Sequence, residues 1–272
     1  MGIITAVLTA ALLIQSPVLW PFMLGALVLA AISLLDDYRN LPVHWRLLAH
    51  VAVAVGLIRF TPLGDMHLFV TTLAIVWMTN LYNFMDGADG LAGGMAVIGF
   101  GAMAIAAGWS GAPHLALLCV GIAAAALAFL RFNFPPARLF MGDAGAIPLG
   151  FLAATLGMYG VTQNTWPALF PVMVFSPFIL DASVTLIKRA LRGDKIWRAH
   201  REHYYQRLVR MGWSHRKLAF AAYALMLACA LGGLLLLWKP AYTAAVVLVW
   251  TSAFLFIFIA LDRRWLPLEH DI

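Results

Sequence analysis

Apolar residues fill ten runs of about 14 to 22 residues, near 2–16, 18–35, 47–60, 68–84, 93–109, 114–130, 147–162, 166–187, 218–238 and 241–261. A helix needs roughly 20 such residues to cross the hydrocarbon layer, fewer where the bilayer thins. The pattern predicts an all-α polytopic transmembrane bundle of about ten helices, forming a single domain over 1–272. The first and third runs are the shortest. No internal repeat, low-complexity tract or separate soluble domain interrupts the series. The longest polar stretches are 36–46 and 188–217, the second a basic loop within the domain. The first run lacks a basic n-region and a cleavage site, so it does not read as a signal peptide.

Composition agrees. Of 272 residues, 63% are hydrophobic and 11% charged, against roughly 25% charged in soluble domains. The net charge is +6, and ten of the 18 Lys and Arg residues lie between Lys188 and Lys217. With Asp36 on the cytoplasmic side, alternation places 36–46, 85–92, 131–146, 188–217 and the tail after Leu261 inside. Sixteen of the 18 basic residues then lie inside, and only Arg59 and Lys239 outside. The positive-inside rule accounts for this distribution, and no nucleic-acid partner is needed. Trp20, Trp109, Trp166 and Trp238 fall at the opposite border, as an aromatic belt does. The two cysteines, Cys119 and Cys229, sit in apolar runs and read as small buried hydrophobes.

The chemistry is in the inner loops. Asp36 and Asp37 end the second run, Asp86 and Asp89 follow the fourth, and Asp143 lies between the sixth and seventh. Each alone reads as a solvated loop residue. Five converging on one membrane border repel one another unless a cation compensates, and a hard divalent metal with a phosphorylated substrate meets that need. In Asn80-Leu-Tyr-Asn83-Phe-Met-Asp86-Gly-Ala-Asp89-Gly-Leu91 the polar groups recur every three residues, which lines one face of a helix end. Gly87 and Gly90 then let the backbone turn. Asn80 alone also fits helix packing. In Arg131-Phe-Asn133-Phe-Pro135-Pro136-Ala-Arg138-Leu-Phe140-Met-Gly142-Asp143-Ala-Gly145 two prolines end a helix, and Gly142 and Gly145 bracket Asp143 in a flexible turn before the next one. Free N–H groups at that helix start favour phosphate. Phe140 suits either stacking on a flat ligand or anchoring in headgroups. His200-Arg-Glu-His203 puts two histidines on one helix face. A third zinc ligand is lacking, and a phosphate-binding surface with Arg198, Arg201 and Arg207 fits better than zinc.

These strings resemble the polyprenyl-phosphate N-acetylhexosamine-1-phosphate transferases, glycosyltransferase family 4, over roughly residues 1–217. The matches are Asp36-Asp37, the Asn-x-x-Asn-x-x-Asp-Gly-x-Asp-Gly-Leu string, Phe140-Met-Gly-Asp143-x-Gly and the histidine motif, in family order. The resemblance implies transfer of HexNAc-1-phosphate from a UDP-N-acetylhexosamine to a polyprenyl (undecaprenyl) phosphate, with release of UMP. It implies a bacterial inner-membrane, multi-pass enzyme with a cytoplasmic site, starting cell-surface glycan synthesis. Asp36 and Asp37 would engage the prenyl phosphate, one as its base. Asn83 and Asp143 match magnesium-linked positions, with manganese as the alternative metal. Asn80, Asp86, Asp89 and Phe140 map to the nucleotide-sugar pocket. His200 and His203 match the outer members of a His-x-His-His motif, in which Glu202 replaces the third residue; that favours the O-antigen or lipopolysaccharide-type branch. A homodimer is one open arrangement.

Family members usually begin with a further helix and a basic, glycine-rich loop before the segment that this chain starts on. The upstream reading frame is therefore expected to encode about 40–60 more residues, the length of a helix and a loop. Two rival classes make different demands on the sequence. A secondary transporter would bury its charges near the midplane with paired broken helices. A magnesium-dependent intramembrane prenyltransferase would carry two Asp-rich motifs at i, i+4 spacing, which are absent here.

Overall fold

The computed structural model describes residues 16–39, 41–65, 67–195, 197–198 and 200–269. Eleven α-helices make up the described chain: α1 (Trp20–Arg39), α2 (Val43–Phe60), α3 (Leu68–Phe84), α4 (Leu91–Trp109), α5 (Pro113–Asn133), α6 (Asp143–Thr162), α7 (Leu169–Val174), α8 (Ser176–Leu191), α9 (Tyr204–Arg210), α10 (His215–Trp238) and α11 (Thr243–Glu269). There is no strand among the described residues. Seven helical segments are long and apolar enough to cross a membrane, and α3 is a shorter apolar helix. The chain is a multi-pass helical membrane protein. The run expected over 2–16 lies outside the described residues.

Three expectations are corrected. The run expected over 166–187 is two helices, α7 and α8, separated at Phe175. Pro177, at the start of α8, has no N–H to offer the carbonyl of Met173. The Ser176 hydroxyl donates to that carbonyl instead, at 2.6 Å. Secondly, α6 begins at Asp143 rather than near 147. Gly142, at φ 64°, turns the chain, and the acidic side chain sits in the first turn, where the helix dipole favours it. Thirdly, Trp166 is no belt residue. It is 3% exposed, donates from Nε1 to the Gly157 carbonyl at 2.8 Å and packs on Phe170, whereas Trp20, Trp109 and Trp238 are exposed.

Helices α4 and α6 are the most buried spans and α11 the least. Small residues allow the close approaches at the centre. A Cβ at Gly150 of α6 would fall 2.7 Å from the Met78 carbonyl oxygen of α3, and one at Gly94 of α4 would collide with the Tyr223 ring of α10. Both cysteines are buried and free, as expected.

Polar side chains then tie the helix ends together at one end of the bundle. Arg46 in the first turn of α2 reaches Asp36 at the end of α1 and Asp143 at the start of α6, at 3.0 and 2.6 Å. Asn133, the last residue of α5, accepts from the Gly90 N–H before α4 at 2.9 Å. His215, the first residue of α10, lies 3.2 Å from Asp89. Asp262 of α11 pairs with Lys188 of α8, and with Arg207 of α9 at 3.1 Å.

Candidate active site

Helix α3 ends at Phe84, so Asp86 and Asp89 stand in a turn and not on the helical face that their spacing suggested. Gly90 adopts φ 76°, a left-handed conformation open to glycine, and launches α4. The turn is stapled to the segment after α5. Asn133 accepts from the Gly90 N–H, donates to the Leu139 carbonyl at 2.8 Å, and the Ala137 N–H donates to Asp89 Oδ2 at 3.1 Å. Between these segments and the start of α6 lies a cavity of about 370 Å³ lined by Asn83, Asp86, Asp89, Asn133, Phe140, Asp143 and His215, among others. Five of the ten residues singled out from sequence thus share one cavity: Asn83, Asp86, Asp89, Phe140 and Asp143. Phe140 is 74% exposed at its mouth.

Three carboxylates, Asp86, Asp89 and Asp143, line this cavity, and Asp143 is paired with Arg46. The Asp86 carboxyl is raised to about 7, by burial first and then by the negative charge of Asp143, against a hydrogen bond from the Gly142 backbone that lowers it. Because the folded value lies above the ordinary 3.8, the fold favours neutral Asp86. Its stabilising contribution is full below about 4 and is lost as pH rises through about 7. In metal-free buffer the melting temperature should therefore fall between pH 5 and pH 8, and Asp86→Asn should flatten the slope. An unchanged slope in that variant would place the titration elsewhere.

Among the described residues no three His, Cys, Asp or Glu side chains gather as a metal cage. Magnesium does not need one. It typically uses one or two carboxylates and completes its shell with waters and substrate phosphates. Asn83 and Asp143, with Asp86 beside them, offer hard oxygen donors in one cavity. The residues present fit a hard divalent cation.

The remaining candidates lie outside that cavity's lining. Asp36 is buried and held by Arg46 and by the Leu41 N–H at 2.7 Å. Asp37 is exposed, on a different side of α1. Asn80 sits a turn below Asn83 and has partners of its own, donating to the Val76 carbonyl at 2.7 Å and lying 3.2 Å from His50 Nδ1. His200 and His203 do not share a helix face: His200 lies outside any helix and His203 precedes α9. Their rings still meet, with centroids 4.7 Å apart. His203 is 3% exposed, stacked between Phe84 and Tyr205. Burial, then the charges of His203 and Arg189, lower His200 to about 4, so it is neutral near pH 7. Tyr205 donates to the Phe84 carbonyl at 2.9 Å, which ties the segment carrying the histidine pair to the end of α3, just before the Asp86 turn.

Of the three arginines expected beside the histidines, Arg207 is withdrawn. It is 4% exposed, donating to the Glu202 carbonyl at 2.7 Å and to Asp262. Glu202 itself is clasped by Arg189 and Arg192. Arg198 and Arg201 are exposed.

Four groups were missed in the sequence. In the sequence Arg46 reads only as a loop cation. His215 left no pattern to find. Asp181 did leave one, an acid inside an apolar run. It is 7% exposed and accepts from the Tyr204 and Tyr205 N–H groups at 2.8 and 3.0 Å, satisfying the start of α9 from another helix. Asp262 had been placed in the tail, whereas α11 runs on through it.

Residues 19–161 match the family model described as "Glycosyl transferase family 4". A "Probable undecaprenyl-phosphate N-acetylglucosaminyl 1-phosphate transferase" of Bacillus subtilis (strain 168) is 31% identical over 217 residues, 73% of this chain and 60% of that relative. A "Phospho-N-acetylmuramoyl-pentapeptide-transferase" of Staphylococcus saprophyticus is 33% identical over 173 residues, 64% of this chain and 53% of its own. One of the same name from Geobacillus sp. (strain WCH70) is 31% identical over 172 residues, 63% and 52% respectively. The chain thus spans 60%, 53% and 52% of the length of these relatives.

Proposed function

This chain belongs to glycosyl transferase family 4, and from that membership and the carboxylate-lined cavity we propose that it transfers a HexNAc-1-phosphate from a UDP-sugar to a polyprenyl phosphate. The observation that carries the reading is the single cavity uniting Asn83, Asp86, Asp89, Phe140 and Asp143 at the end of a helical membrane bundle. Such a position suits one lipid and one water-soluble substrate.

In this reading an oxygen of the lipid phosphate attacks the sugar-linked phosphorus of the donor. A new P–O bond forms, the bond to UMP breaks, and the product is a lipid-diphosphate sugar. Asn83 and Asp143 would hold Mg2+, or Mn2+ in its place, which supplies neutralisation of the donor diphosphate. Asp36 is held by Arg46, so exposed Asp37 is the partner left to take a proton from the lipid phosphate. Phe140 stacks on the flat base at the cavity mouth. His200, neutral near pH 7, offers a hydrogen bond rather than a charge. Glu202, tied to two arginines, supports the polysaccharide-initiating branch, of the O-antigen or lipopolysaccharide type. Sixteen of the 18 basic residues on the cytoplasmic side support an inward-facing site in a bacterial inner membrane.

One assay tests reaction and sidedness together. Sealed inside-out vesicles carrying the chain should release UMP from a UDP-HexNAc when polyprenyl phosphate is present, and sealed right-side-out vesicles should not. Pyrophosphate as product would point to a prenyltransferase, and no product in either orientation to a transporter.

A further inference from the structure

Ten of the eleven cavity-lining residues come from the segment 83–143. The eleventh, His215, is brought from the far side of the basic loop by the first turn of α10, outside the residues that match the family model. Ser214 fixes that turn, its hydroxyl accepting from the Lys217 N–H at 3.2 Å. His215 Nδ1 is turned to Asp89, 3.2 Å from Oδ1 and 3.4 Å from the backbone N. Asp89 Oδ2 accepts from the Ala137 N–H, so the residue whose backbone N–H donates to His215 Nδ1 is itself anchored, and with Nδ1 accepting, Nε2 carries the ring proton. The ring's Nε2 has no hydrogen bond among the described residues, and the side chain is 39% exposed.

Asp86 and Asp143 line the same cavity, and among the described residues His215 is the one basic side chain in its lining. An anionic nucleotide entering a cavity of carboxylates needs a donor that the carboxylates cannot supply. We propose that His215 is a substrate-contacting residue for the uridine nucleotide of the donor, with Nδ1 fixed by Asp89 and Nε2 directed to the nucleotide. This rests on the transferase reading above. It makes α10 part of the donor site and not only of the membrane scaffold.

The alternative is that His215 merely straps α10 to the Asp89 turn, and binding measurements separate the two. UMP is titrated into the full chain in lipid nanodiscs with Mg2+ present, and KM is measured for a UDP-HexNAc and for polyprenyl phosphate. His215→Ala should weaken UMP about tenfold, the value of one hydrogen bond to a charged group. It should raise the KM for the UDP-sugar by a similar factor and leave the KM for polyprenyl phosphate unchanged. His215→Gln places an amide nitrogen near the position of Nε2 and should recover most of the affinity, whereas His215→Asn, which mimics the Nδ1 side, should not. UMP affinity unchanged in His215→Ala would overturn the assignment. So would equal recovery by Gln and Asn, or a loss of UMP affinity matched by an equal rise in the polyprenyl phosphate KM. A wild-type chain that binds neither UMP nor UDP-sugar would overturn the transferase reading first, and this contact with it.

Discussion

Asp143→Asn is expected to leave the protein folded and to lower UMP release about 100-fold or more, the scale of losing a principal electrostatic contact to a transferring phosphoryl group. The two side chains have nearly the same shape, so the start of α6 keeps its packing. What is removed is the charge that a hard cation prefers. The ion pair with Arg46 is lost too, but both partners are about one-third exposed, 30% and 31%, and pairs of that kind contribute little to stability. EDTA should reproduce the loss in the wild type, and added Mg2+ should restore the wild type but not the variant. Wild-type magnesium-dependent turnover in Asp143→Asn would remove this residue from the site.

The second large effect is on stability. Asp181→Ala should cost about 2–5 kcal/mol, because two buried backbone N–H groups at the start of α9 lose their acceptors, each costing about 1–3 kcal/mol. Those N–H groups are on Tyr204 and Tyr205, and the residue just before them is His203. The substitution should therefore loosen the histidine pair as well. Asp181→Asn keeps one acceptor oxygen and should lose about half as much. Thermal melts of the purified chain check both values, and a shift under 1 °C for the alanine variant would mean that water replaces the carboxylate freely.

The spans were legible because membrane helices announce themselves by composition. The run expected over 68–84 and helix α3 coincide, and most other ends differ by a few residues. The failures have local causes. The break at Phe175 was missed because a hydropathy window does not register that Pro177 lacks an N–H, and the run stays apolar across it. The spacing of Asn80, Asn83, Asp86 and Asp89 suggests one polar face on a helix end, yet α3 ends at Phe84, so Asp86 and Asp89 stand in the turn while Asn80 stays on the helix and pairs with His50. Trp166 has belt composition but lies against Gly160, which leaves room for its ring, and donates to the Gly157 carbonyl. The cavity was legible in outline because its carboxylates fall in short motifs. Arg46 and His215 were not, since each is a single residue whose meaning depends on contacts across 97 and 126 positions of sequence.

Arg46 carries one more consequence. Its guanidinium joins carboxylates from α1 and α6, so the chain brings an internal counterion to the place where a metal fits. Metal starvation should then leave the chain inserted and folded but without UMP release, since these carboxylates keep a cation partner of their own. Recovery on resupply would be as fast as ion entry, without new synthesis.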